Sequence, residues 1–183
     1  MPVSVATFRQ VALDDDNDSW ELRCGKLVRK PAMTMEHNEE SSELVRQLHL
    51  QLDPDRFSVR MNSSHIVFGS DYYIPDVAVI GVEYLLLRRG QPTELEAYRE
   101  PLPFVAEVWS RSTGGHDVDA KFPVYRERGD VEIWRAHPYS RIVTAWRRQL
   151  DGTYGEVILD NGSVTLHGLP GVVINLERLF RFV

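Results

Sequence analysis

The chain has 183 residues, 43% of them hydrophobic, and a formal net charge of −6. That is ample apolar material for one core, while the acidic balance argues against a strong non-specific nucleic-acid binder. One cysteine, Cys24, excludes an internal disulfide and a thiolate zinc cage. No membrane-length apolar stretch or signal-peptide pattern is present, so the expected setting is soluble and cytoplasmic.

Residues 1–18 read as a loosely ordered arm with a short helix near 8–12 and an acidic end, and residues 19–183 as a single domain. Trp20 to Val28 reads as a β-hairpin turning at Cys24-Gly25. A helix follows over 34–52, with Thr34 as its cap and Leu44, Val45, Leu48 and Leu52 as its apolar stripe. Glu36 and Glu40 suit its early turns as partners of the helix dipole. Strands are expected over 57–61, 65–68 and 73–80, then a loop or short helix over 84–100. A strand over 104–109 leads through a turn-rich loop at 110–115 to a helix over 117–128 that stops at Gly129. Antiparallel strands over 131–135 and 141–147, short strands near 154–159 and 163–167, and a helical turn over 176–180 complete the series. The order points to an α/β protein with α+β character, a mixed central sheet flanked by helices.

Two acids stand out against this pattern. Asp76 lies in Tyr73-Ile74-Pro75-Asp76-Val77-Ala78-Val79-Ile80, and Glu107 in Phe104-Val105-Ala106-Glu107-Val108-Trp109. Alternate residues of a strand share a face, so Asp76 lies beside Ile74 and Ala78, and Glu107 between Val105 and Trp109. An ionised carboxylate in such a place costs several kcal/mol unless a cation or a hydrogen-bond network compensates it, as a rough figure. One shared hard cation compensates both. The plainer readings are a strand-end Asp accepting turn hydrogen bonds, and a buried Glu107 paired with Arg60 or Arg111.

Pro75-Asp76, then Glu107 on the next long strand, then Lys121 on the following helix resembles the PD-(D/E)xK nuclease superfamily. More closely, the chain resembles the Uma2 family, also called DUF820, of restriction-endonuclease-like proteins. The matching stretches are Trp20-Glu21-Leu22 with Gly25-Lys26-Leu27, His37, Pro75-Asp76-Val77, Glu107 to Thr113, Lys121 with Tyr125 and Gly129, 131–134, Leu169-Pro170-Gly171 and Leu179-Phe180. The resemblance implies a restriction-endonuclease-like fold and metal-dependent hydrolysis of phosphodiester bonds, with DNA as substrate. Asp76 and Glu107 would then hold Mg²⁺ (or Mn²⁺), Lys121 would assist the attacking water, and Glu21 and His37 would be accessory. The simplest form of the motif has its lysine two residues after the second acid, where this chain has Trp109. Lys121 fits a variant with the lysine on the next helix, and Pro123 lies inside that helix.

Ser110, Ser112 and Thr113 are candidates for phosphate contact, with a solvated turn as the plainer alternative. The remaining histidines (His49, His65, His116, His137 and His167) lack ligand spacing, so no zinc site is expected. A competing function is a binding or interaction module that keeps the nuclease fold without catalysis. A sugar hydrolase using two carboxylates is a third reading, with little support from strand context. A homodimer, through the strands between Arg141 and His167, would let two sites reach both strands of a duplex.

Overall fold

The computed structural model describes residues 1–110 and 114–182, with the backbone alone described within 114–119. Residues 5–14, expected in a loosely ordered arm, form α1 (Val5–Asp14), where Ser4 Oγ accepts the Thr7 N–H at 3.1 Å. Phe8 explains the docking, since it is buried against Leu22, Val67 and Tyr72.

The hairpin comprises β1 (Trp20–Arg23) and β2 (Lys26–Arg29). Cys24 and Gly25 both take positive φ, 48° and 72°, the conformation a tight two-residue hairpin turn demands. A Cβ on Gly25 would also lie 2.6 Å from that of Pro2. Helix α2 (Met35–His49) begins at the expected cap, with Thr34 Oγ1 accepting the His37 N–H at 3.3 Å.

The middle of the chain supplies β3 (Phe57–Met61), β4 (His65–Phe68), β5 (Asp71–Tyr73) and β6 (Val77–Gly81). The strand expected over 73–80 is therefore interrupted at 74–76. Pro75 has no N–H to give to a ladder, and Asp76 sits just before β6 rather than within a strand. The segment over 84–100 lies between α3 (Val82–Leu86) and β7 (Ala97–Tyr98). Strand β8 (Phe104–Val108) leads to α4 (Gly114–Arg128), which starts earlier than expected and runs through Pro123. Residues 111–113, including Arg111, Ser112 and Thr113, lie outside the described residues.

The chain continues with β9 (Glu132–His137), a 3₁₀ turn (Pro138–Ser140), β10 (Ile142–Arg148) and β11 (Tyr154–Leu159). It closes with β12 (Ser163–Thr165), β13 (Val173–Asn175) and α5 (Leu176–Leu179). The expectation of a mixed sheet flanked by helices holds for the six-stranded sheet β11-β10-β9-β8-β6-β3. The hairpin joins a second sheet, β2-β1-β5-β4-β7, and β12-β13 form a small ribbon.

Alternation along the six-stranded sheet divides the core into two layers. Val77, Val79, Phe104, Ala106, Val108 and Trp134 pack with Leu44 and Leu48 of α2. Ala78, Ile80, Val105 and Ile133 pack with Phe122 and Tyr125 of α4. Glu107 follows Val105 on the α4 side, which is why a helix far along the chain meets it.

Candidate active site

Strands β6 and β8 are antiparallel, with Val77 opposite Ala106 and Ala78 opposite Val105. One further step in that register sets Asp76 opposite Glu107, although the ladder itself stops at Val77. The two acids are close enough that Asp76 raises the pKa of Glu107.

Each oxygen of Asp76 has a different environment. Oδ2 accepts the Val108 N–H at 2.7 Å and lies 2.9 Å from His37 Nε2. Oδ1 has no regular hydrogen bond and carries an ion pair to the Lys30 ammonium at 2.8 Å. Burial pushes the Asp76 carboxyl up, but Lys30, His37 and Lys121 together hold it well below the ordinary carboxylate range.

Glu107 receives the Tyr125 hydroxyl hydrogen bond on Oε1, and the Lys121 ammonium lies 3.2 Å from the same oxygen. Its pKa is raised to about 7 by burial, with Lys121 opposing and Asp76 adding to the rise. Neither Arg60 nor its guanidinium takes part, because Arg60 pairs with Glu96 at 2.8 Å. Pro123 does not divert Lys121: α4 runs through the proline, and the lysine ammonium still reaches Glu107 and Glu21. Helix α4 thus delivers Lys121 and Tyr125, four apart on one face, to a single carboxylate.

The hairpin closes the site from the other side. Glu21 Oε1 lies 3.0 Å from Lys121 Nζ and accepts the Ile74 N–H at 2.8 Å. Arg23 Nε donates to Glu21 Oε2 at 2.6 Å. Burial raises the Glu21 pKa, yet Lys121, Arg23, the Ile74 amide and Lys30 leave it lowered. The Ile74 carbonyl accepts from both Lys30 and Lys121, each at 3.0 Å. The break at 74–76 makes this possible, since a continuous strand would have committed both Ile74 backbone groups to a ladder.

Glu40 is a correction to the sequence reading. It does not sit on the solvated side of α2 as a dipole partner; it is fully buried, and neither carboxylate oxygen has a hydrogen-bond partner. Burial, with Asp76 adding to it, raises its pKa well above the ordinary value. The helical spacing from His37 to Glu40 and Leu44 was visible in the sequence, and it places all three on one face. Lys30 had no local signal, because it follows the hairpin at a position with no periodicity.

The expected residues Asp76, Glu107, Lys121, Glu21 and His37 thus form one connected cluster. Asp76 and Glu107 are 2% and 3% exposed and Lys121 2%, so the cluster is closed from solvent. Among the described residues, no three His, Cys, Asp or Glu side chains are set to cage a metal ion. Mg²⁺ does not need such a cage, being held through one or two carboxylates with waters and substrate phosphate. The two carboxylates and the Oδ1 lacking a regular hydrogen bond fit a hard divalent ion on those terms.

The Uma2 family model, described as "Putative restriction endonuclease", matches residues 5–177. The chain belongs to the Uma2 family. A crystal structure of "a putative nuclease belonging to DUF820" from Anabaena variabilis superposes with a TM-score of 0.77. The match covers 98% of each chain at 18% identity, which shows a shared fold. No curated protein matches the chain. As a Uma2 member it shares the mixed α/β fold of that neighbour over almost its whole length.

Proposed function

We propose that this Uma2 protein is a metal-dependent nuclease that hydrolyses phosphodiester bonds of DNA. The observation that carries the reading is the meeting of Asp76, from the break before β6, with Glu107 of β8 and Lys121 of α4 at one end of a sheet. Asp76 and Glu107 would hold Mg²⁺ or Mn²⁺. Such an ion supplies positive charge to the phosphoryl oxygens and lowers the pKa of water. Val108 and His37 fix one Asp76 oxygen, leaving the other for a cation. Tyr125 orients Glu107 through its hydroxyl. Lys121, held between Glu107 and Glu21, would orient the attacking water and stabilise negative charge developing on the phosphate.

Purified protein with Mg²⁺ or Mn²⁺ should cut plasmid and oligonucleotide DNA, and Asp76→Asn and Glu107→Gln should not. A second reading, an inactive module on the nuclease fold, draws on the closure of the site and the lysines already on its carboxylates. Absence of divalent-ion binding by calorimetry in the wild-type protein would select it. A homodimer is part of the proposal, since two sites would reach both strands. Strand β11 ends the six-stranded sheet and exposes Ile158, and offers an edge for a second copy.

A further inference from the structure

We infer that Lys30 is a placeholder cation: its ammonium occupies Asp76 Oδ1 until a divalent ion takes that oxygen, then moves to the adjoining cleft. The inference rests on the proposed metal role of Asp76 and Glu107.

The two oxygens of Asp76 are held differently. Oδ2 is already engaged by two groups, His37 and the Val108 amide. A metal ion at Asp76 therefore needs Oδ1, and Lys30 Nζ stands 2.8 Å from it. An ammonium and a divalent ion at one buried oxygen repel strongly, because screening by water is weak there. One must yield.

Residue type favours displacement. The chain has three lysines, Lys26, Lys30 and Lys121, and two of them are in this cluster. An ammonium is a compact point charge on a flexible stem, whereas a guanidinium forms a rigid fork that grips a carboxylate with two bonds. Lys30 is also held by few groups: the Asp76 oxygen and the Ile74 carbonyl at 3.0 Å. Lys121 shares that carbonyl, so loss of Lys30 does not leave it unpaired.

A second seat exists. Lys30 lines a cleft of about 320 Å³ together with Ser19, Arg29, Met33 and Asn62. Asn62 lines this cleft, and its Oδ1 is buried without a hydrogen-bond partner. The Asn62 backbone N–H donates to the Asp76 backbone carbonyl at 3.0 Å, so this residue is anchored next to the first seat. A buried amide oxygen lacking a donor calls for an explanation, and a displaced ammonium supplies the donor.

The test is Mn²⁺ titration by calorimetry of wild-type protein and Lys30→Met. Removing the competitor should tighten Mn²⁺ binding, on the order of tenfold or more for a unit charge at this range. Wild type that binds Mn²⁺ while Lys30→Met binds equally or more weakly overturns the inference and leaves the metal-nuclease reading intact. If neither protein binds Mn²⁺, both fall. A measurement on the unaltered chain covers failure of the variant to fold. In protein with ¹⁵N-labelled lysines, the Lys30 Nζ signal should shift on adding Mg²⁺ while that of Lys26 stays. An unmoved Lys30 signal at saturating Mg²⁺ overturns the inference.

Discussion

Glu107 and Glu40 link the site to stability through their protons. A carboxyl whose pKa rises on folding binds its proton more tightly in the folded chain. Its contribution is present below the ordinary value of 4.5 and is lost as pH climbs to the folded pKa, about 7 for Glu107. Glu40 acts in the same direction. Asp76 and Glu21 act oppositely: their lowered pKa values stabilise the fold above the ordinary carboxylate range and are lost in acid. In metal-free protein, the urea midpoint should therefore decline between pH 4.5 and 7, and Glu107→Gln should flatten that decline. A profile unchanged by the substitution would show that Glu107 does not titrate in this window. Lys121→Met should lower the single-turnover cleavage rate by about 10²–10³-fold, the usual scale for removing one electrostatic stabiliser. An unaffected rate would remove Lys121 from the chemistry.

Among the elements, α2 and the 74–76 break show how local chemistry prepares the site. The Thr34 cap orders the turn that carries His37, so Thr34→Ala should cost about 1 kcal/mol in urea unfolding. Leu44 lies on the same helix, fully buried against the sheet, and Leu44→Ala should cost about 2–5 kcal/mol. A smaller loss at Leu44 than at Thr34 would contradict this division of roles. The helix was legible because capping and 3.6-residue periodicity are local. The hairpin was legible for a similar reason, since Cys24-Gly25 signals its own turn. The uninterrupted strand over 73–80 was an incorrect reading: its apolar run concealed the lost donor of Pro75. Phe8 was similarly misleading, because nothing nearby in sequence announces the pocket formed by Leu22, Val67 and Tyr72.

At the scale of the molecule, two layers of core clamp the six-stranded sheet and leave one end of β6 and β8 for the acids. No helix among the described residues is long and apolar enough to cross a membrane. Association through β11 should appear as a dimer in sedimentation, and Ile158→Lys, at a position 66% exposed in the single chain, should shift it to monomer. A monomer in the wild-type protein would place double-strand cleavage outside a two-site arrangement.

The sequence by itself determined the two long helices, the hairpin and the presence of two acids in apolar runs, because periodicity, caps and turn residues act over a few positions. It also carried the family resemblance, through motifs spread from Trp20 to Phe180. Only the tertiary structure decided which charges meet. Lys30 reaches Asp76 across 46 positions of chain and Glu21 reaches Lys121 across 100, and burial of Glu40 depends on the sheet beneath it. Electrostatic partnership in a buried site follows distance in space, and no local pattern encodes that distance.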